Sequence, residues 1–196
     1  MIIESCYFLT AVLFIIGLKK MSSPVTAAGG IRWAGYGMIL ATFVTFFDSG
    51  IAHNELVVTN YILIILALIV GGVLSWWFGL KVKTTDLPQM IALYNGMGGG
   101  AAAAIAAVEL SKFETLANDQ VLMGVLGALI GTVAFSGSII AWAKLDGRIK
   151  KAPDIPMRNI ANLALFVVTI AFGIMVYSTG SIWALVIFFA LAFIFG

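Results

Sequence analysis

Residues 57–80 read VVTNYILIILALIVGGVLSWWFGL, twenty-four consecutive positions without a charge. A hydrocarbon core about 30 Å thick is crossed by roughly 20 apolar residues wound as helix. A helix on the surface of a soluble domain keeps one charged or polar face, and this stretch has none. It is therefore read as a membrane span. Its apolar run is continuous rather than alternating, which excludes a transmembrane β-barrel strand.

Working outward, six more stretches qualify or nearly qualify: 2–18, 33–52, 87–108, 121–143, 159–177 and 181–196. The connections between them are short, and none is long enough to fold as a separate domain. The expected fold is all-α: a polytopic membrane helix bundle of about seven transmembrane helices, forming one transmembrane domain over residues 1–196 with no soluble domain. The last stretch is still fully apolar at Gly196, which reads as a helix cut short. Composition agrees. Hydrophobic residues make up 62% of the chain and charged ones 10%, with a mean hydropathy of +1.09. Soluble domains lie near 45–50% and 25%.

Charge placement predicts orientation. Lys19, Lys20 and Arg32 lie between the first and second stretches, Lys81 and Lys83 between the third and fourth. Lys144, Arg148, Lys150, Lys151 and Arg158 lie between the fifth and sixth. Only Lys112, of eleven basic residues, falls on the other side, together with Glu4, Asp48, His53, Glu55, Glu109, Glu114 and Asp119. The positive-inside rule makes the three basic loops cytoplasmic and the N-terminus external. A signal peptide would carry its positive charge before the first apolar run; here Glu4 precedes that run and Lys19 and Lys20 follow it. Trp33, Trp76, Trp77, Trp142 and Trp183 fall near the ends of the stretches, as interfacial anchors do.

The single cysteine, Cys6, and single histidine, His53, exclude a disulfide framework and a Cys- or His-built metal site. Cys6 is read as a small buried hydrophobe and His53 as a solvated interfacial residue. Polar side chains at membrane depth carry more information, because hydrocarbon offers them no partner. Thr42, Thr45, Thr132, Ser136, Ser138 and Thr169 can bond to their own helix backbone. Asn95 cannot satisfy its amide that way. It is either interhelical glue or a polar station on an ion path. Around it run Gly96, Gly98, Gly99, Gly100 and a series of alanines. The fifth stretch carries Gly124, Gly127, Gly131 and Gly137. Such small residues let helix backbones approach closely. The fourth and fifth stretches are thus expected at the centre, and the Phe-, Leu- and Ile-rich sixth and seventh facing lipid. Gly96, Gly98 and Ala101 also match G-x-G-x-x-A, but no βαβ unit surrounds them, so a dinucleotide turn is rejected.

The stretch Asp86-Leu87-Pro88-Gln89-Met90-Ile91-Ala92-Leu93-Tyr94-Asn95-Gly96 resembles the membrane domain of the proton-translocating NAD(P) transhydrogenase beta-subunit family. So does Ile130-Gly131-Thr132-Val133-Ala134-Phe135-Ser136-Gly137-Ser138, running on to Ala143-Lys144-Leu145-Asp146-Gly147-Arg148-Ile149. A third likeness is Asn159 and Asn162 opening the sixth stretch after a Pro-bearing basic loop. The three occur in register along the whole chain.

The resemblance implies a membrane part that couples proton flow to hydride transfer between NAD(H) and NADP(H), both bound by soluble partner domains and not by this chain, with no metal. It implies a bacterial inner-membrane location, an alpha subunit that adds membrane helices and the NAD(H) side, and a dimer of the whole complex. In the family the beta subunit continues through two further helices into the NADP(H)-binding domain. Asn95 matches a position held by a proton-path histidine in well-known members, and asparagine cannot take up a proton near neutral pH. Ser138 matches a channel serine, with Thr132 and Ser136 beside it in sequence. Asp86 matches an acidic residue at the cytoplasmic mouth, where Lys83 and Arg148 could sense a docked domain. Gly96, Gly99, Gly100, Gly131 and Gly137 are expected to close the helix packing. No nucleic-acid partner is implied. A secondary transporter and a structural membrane subunit remain the alternatives from other classes.

Overall fold

The computed structural model describes residues 2–23, 25–52, 56–150 and 157–196, and its described residues form helices and turns without a strand. The helices are α1 (Ile2–Met21), α2 (Ala27–Thr45), the short α3 (Ser49–Ala52), α4 (Val57–Lys81), α5 (Leu87–Leu110), α6 (Asn118–Leu145), α7 (Arg158–Thr179) and α8 (Ile182–Phe195). Five of them, α1, α4, α5, α6 and α7, are long and apolar enough to cross a membrane. With α2 at 19 residues and α8 at 14, seven apolar helices stand where about seven were expected. The protein is a multi-pass membrane helix bundle. His53, Glu55 and the part of the α6–α7 loop that holds Lys151 lie outside the described residues, as does the side chain of Arg158.

The chain divides into two compact units, Met1–Leu80 and Lys81–Gly196. In the first, α1 and α2 form an antiparallel pair closed by glycine. A Cβ on Gly30 would lie 2.6 Å from the carbonyl oxygen of Gly17, and one on Gly17 would lie 3.0 Å from the backbone nitrogen of Ala34. That contact explains why α2 begins at Ala27, earlier than the expected start at 33: Gly29 and Gly30 are wound into the helix because packing against α1 needs Gly30 there. The Tyr7 hydroxyl meets Thr45 Oγ1 at 3.1 Å at the far end of the pair. The expected single stretch 33–52 breaks after Thr45. Tight turns end α2, and the Asp48 carboxylate then accepts the Gly50 N–H at 2.9 Å, starting α3 afresh. Tyr61 of α4 stacks on Phe46 at 5.8 Å and donates to its carbonyl oxygen at 2.8 Å, yet no residue of α4 is buried.

In the second unit α5 and α6 pack antiparallel along nearly their full length. The buried core gathers at one end of this unit, from Ala106 and Leu110 of α5, Val121, Val125 and Ala128 of α6, Val176 of α7, and Ala184, Leu185 and Phe188 of α8. Phe113, from the α5–α6 connection, closes that end by packing its ring over Gly180, which caps α7 in the left-handed conformation (φ 60°). The expectation that the sixth and seventh stretches face lipid holds for one side of each only: Ile160, Leu163, Val167, Ile174, Val186 and Ile194 are exposed, but a second face of both helices enters the core. Phe188 and Ala192 of α8 and Thr169 of α7 are fully buried. Gly173 leaves room for the Phe188 ring, which would lie 3.0 Å from a Cβ there. It is α4 that stays unburied.

Candidate functional site

The site is built on the α5–α6 seam. A 3-10 turn, Thr84–Asp86, leads into α5, and Pro88 in the first turn costs nothing because its missing N–H would be unpaired there anyway. The helix then runs through four glycines that would weaken it in water by about 1 kcal/mol each relative to alanine. Packing gives three of them a purpose. A Cβ on Gly96 would lie 2.9 Å from the Cβ of Ser138, one on Gly99 2.8 Å from the Gly131 carbonyl oxygen, and one on Gly100 3.0 Å from the Phe135 ring. Gly98 faces open space. From the other side, a Cβ on Gly131 would lie 2.7 Å from the backbone nitrogen of Ala103. Gly137 is close-packed too, but against the carbonyl of Gly196 at the end of α8, 3.2 Å from its would-be Cβ, rather than against α5.

Beside Gly96, Asn95 Nδ2 donates to Ser138 Oγ at 3.1 Å. Ser138 is buried, whereas Asn95 is exposed on its other side, and its carbonyl oxygen takes no partner among the described residues. Asn95 and Ser138 are the two expected path residues that the fold brings together. Thr132 and Ser136 are buried on another face of α6, one turn apart, and no hydrogen bond joins them to Asn95. Ser136 donates to the Thr132 carbonyl at 3.1 Å, spending its proton on its own helix. Among the described residues, Thr132 Oγ1 is buried without a partner. Thr45 and Thr169 donate to the carbonyls of Ala41 and Leu165, the local solution expected of them, and Thr10, not singled out by sequence, does the same to Cys6.

At the end bearing the basic loops, Asp86 accepts a hydrogen bond from Thr85 Oγ1 at 3.0 Å. Arg148 turns to its near neighbours: its Nε meets Asp146 Oδ2 at 2.6 Å and its guanidinium lies 4.8 Å over the Trp142 ring. Among the described residues no bond links Lys83, Asp86 and Arg148 to one another. Gln89 was not singled out by sequence, yet its Nε2 donates to the Leu145 carbonyl oxygen at 3.0 Å, joining the start of α5 to the end of α6. The G-x-G-x-x-A spacing at Gly96 lies wholly inside α5, where Gly96 is pressed against Ser138 and Gly98 faces open space, so the spacing forms no phosphate turn.

The family model for the NAD(P) transhydrogenase beta subunit matches residues 3–196. The chain belongs to the NAD(P) transhydrogenase beta-subunit family. Two Rhodospirillum rubrum sequences of NAD(P) transhydrogenase subunit beta are similar to it, each 33% identical over 165 residues, covering 79% of this chain and 34% of the relative. The chain thus spans about a third of the length of those relatives. Family membership gives the α5–α6 seam its context: the glycine contacts and the Asn95–Ser138 bond sit in the membrane portion of a transhydrogenase-family subunit.

Proposed function

We propose that this chain forms part of the proton-translocating membrane domain of an NAD(P) transhydrogenase, with Asn95 and Ser138 as its polar station. The observation that carries the reading is the Asn95–Ser138 hydrogen bond, set at membrane depth in a seam otherwise lined by glycine and apolar side chains. Asparagine does not titrate, so Asn95 orients water or a neighbouring group rather than holding the proton itself. Its unpartnered carbonyl oxygen points to a further polar group on another helix of the complex, because an unsatisfied amide in hydrocarbon is costly. Thr132, with its unpaired hydroxyl, is a second candidate contact; Ser136, bonded to its own backbone, is the weakest.

In this reading protons pass through the membrane part while a hydride moves between NAD(H) and NADP(H) on soluble partner domains. The alpha subunit contributes further helices, and the whole complex is a dimer in a bacterial inner membrane. Each proton crossing 100 mV supplies about 2.3 kcal/mol. To use it, the mouth of the path must differ between nucleotide states of the docked domain. Asp86, Lys83 and Arg148 are proposed to face that domain, on a cytoplasmic side set by the basic loops, with the N-terminus outside.

Asn95→Leu in the whole complex tests the reading. Proton pumping by membrane vesicles should slow while the protein stays folded and assembled; unchanged pumping would refute it. Flux that depends on a small solute instead of nucleotide would favour a transporter, and no flux at all a scaffold.

A further inference from the structure

Four contacts spaced along α5 and α6 share one antiparallel register: Leu110 against Gly124, Ala103 against Gly131, Gly96 against Ser138, and finally Gln89 against Leu145. The first three are packing contacts. The last is a directional hydrogen bond at the end of the seam that carries the basic loops. Leu145 is the final residue of α6, and its carbonyl is one of those that a helix end leaves without an intrahelical partner. Asp146 and Gly147 then turn the chain out of the helix, with Gly147 at φ 74°. The side chain of Gln89 is half-buried, and Gln89 stands six residues before Asn95, about 9 Å along α5.

We infer that Gln89 is a clasp. Its amide holds the start of α5 against the end of α6 and so limits access of water from that face to the Asn95–Ser138 pair. Gln89 acts through the seam and is a positioning residue. The inference rests on the reading of Asn95 and Ser138 as a proton station, but the closing and opening of the seam can be followed without it. The requirement is specific: the group at position 89 must donate a proton to a carbonyl oxygen. Glutamine and lysine can; glutamate as carboxylate and methionine cannot.

The experiment uses the assembled complex in membrane vesicles with Cys6→Ala, which removes this chain's one cysteine. Ala92→Cys then places a thiol on α5 between Gln89 and Gly96, where the native side chain is half-buried. Its modification by a membrane-impermeant methanethiosulfonate, applied to the face bearing the α6–α7 loop, is followed by mass spectrometry of this chain. Gln89→Glu and Gln89→Met should raise the labelling rate by about two- to tenfold, the weight of one hydrogen bond in an opening equilibrium. Gln89→Lys should keep the rate of the parent. Equal rates in Gln89→Glu and the parent overturn the clasp, and so does a Gln89→Lys variant that opens as far as Gln89→Met. Pumping is measured on the same vesicles: faster labelling with unchanged proton flux would leave the clasp standing and remove the station.

Discussion

Gly99 and Gly131 meet backbone to backbone across the α5–α6 seam, so close that a Cβ on either would come within 2.8 or 2.7 Å of the other's carbonyl oxygen. In a bilayer, apolar side chains gain little by leaving lipid for protein, and close backbone approach is what holds such a pair together.

Substituting Gly131→Val should therefore part the helices. Overpacking of this kind costs about 1–3 kcal/mol, more where backbone must move. The melting temperature of the detergent-solubilised protein should fall. Gly98→Ala, one residue from Gly99 but facing open space, should leave it level or raise it slightly. Equal losses at both positions would contradict the register described here.

Asn95 and Ser138 should behave as a pair. Ser138→Ala is expected to slow pumping less than Asn95→Leu, because water can replace a hydroxyl. In a double-mutant cycle on stability the two should couple by about 0.6 kcal/mol, and at most about 1.7, the range of interhelical hydrogen bonds in membranes. Strict additivity would mean that the 3.1 Å contact contributes nothing.

Gly180 sits in the left-handed region with the Phe113 ring against it. Gly180→Ala adds both backbone strain of about 1 kcal/mol and a clash with the ring. Thermal stability should drop, and Phe113→Ala in the same chain should recover part of the loss. No recovery would show that strain alone is responsible.

Orientation can be read with single cysteines in a Cys6→Ala background. Ser22→Cys, in the α1–α2 loop beside Lys19 and Lys20, should be labelled by an impermeant reagent from the cytoplasmic face. Ser111→Cys, in the α5–α6 connection beside Glu109 and Glu114, should be labelled from the opposite face. Labelling of both from one side would overturn the topology.

The helices were legible because hydrocarbon thickness imposes a length that residues 57–80 and their counterparts meet directly. The pairing of α5 with α6 was legible from their glycines, and Asn95 stood out because an amide cannot be satisfied by its own helix. Hydropathy is blind to which apolar residues face protein. Phe188 and Ile194 read alike in sequence, yet one is fully buried and the other 68% exposed. Thr132 and Ser136 were grouped with Ser138 by proximity in the chain, although two residues along a helix turn the side chain about 200°. Gln89 appeared in the sequence only as one member of the 86–96 stretch, with no role assigned to it. Only the register would have found it: once Gly96 stands opposite Ser138, seven residues back along α5 is seven residues onward along α6, at Leu145.

The uneven distribution of the buried core along this register has a mechanical consequence. Interlocked side chains fix one end of the α5–α6 pair around Leu110 and Phe113, and the Gly99–Gly131 contact pins its middle, while beyond Asn95 a single hydrogen bond secures the other end. Such a pair works as a lever with its fulcrum near Gly99. Gln89 lies about 15 Å from that point along the helix and Asn95 about 6 Å. A rigid splay of 1 Å at the loop end would then part the two helices by roughly 0.4 Å at Asn95, enough to stretch a 3.1 Å hydrogen bond to the edge of useful length.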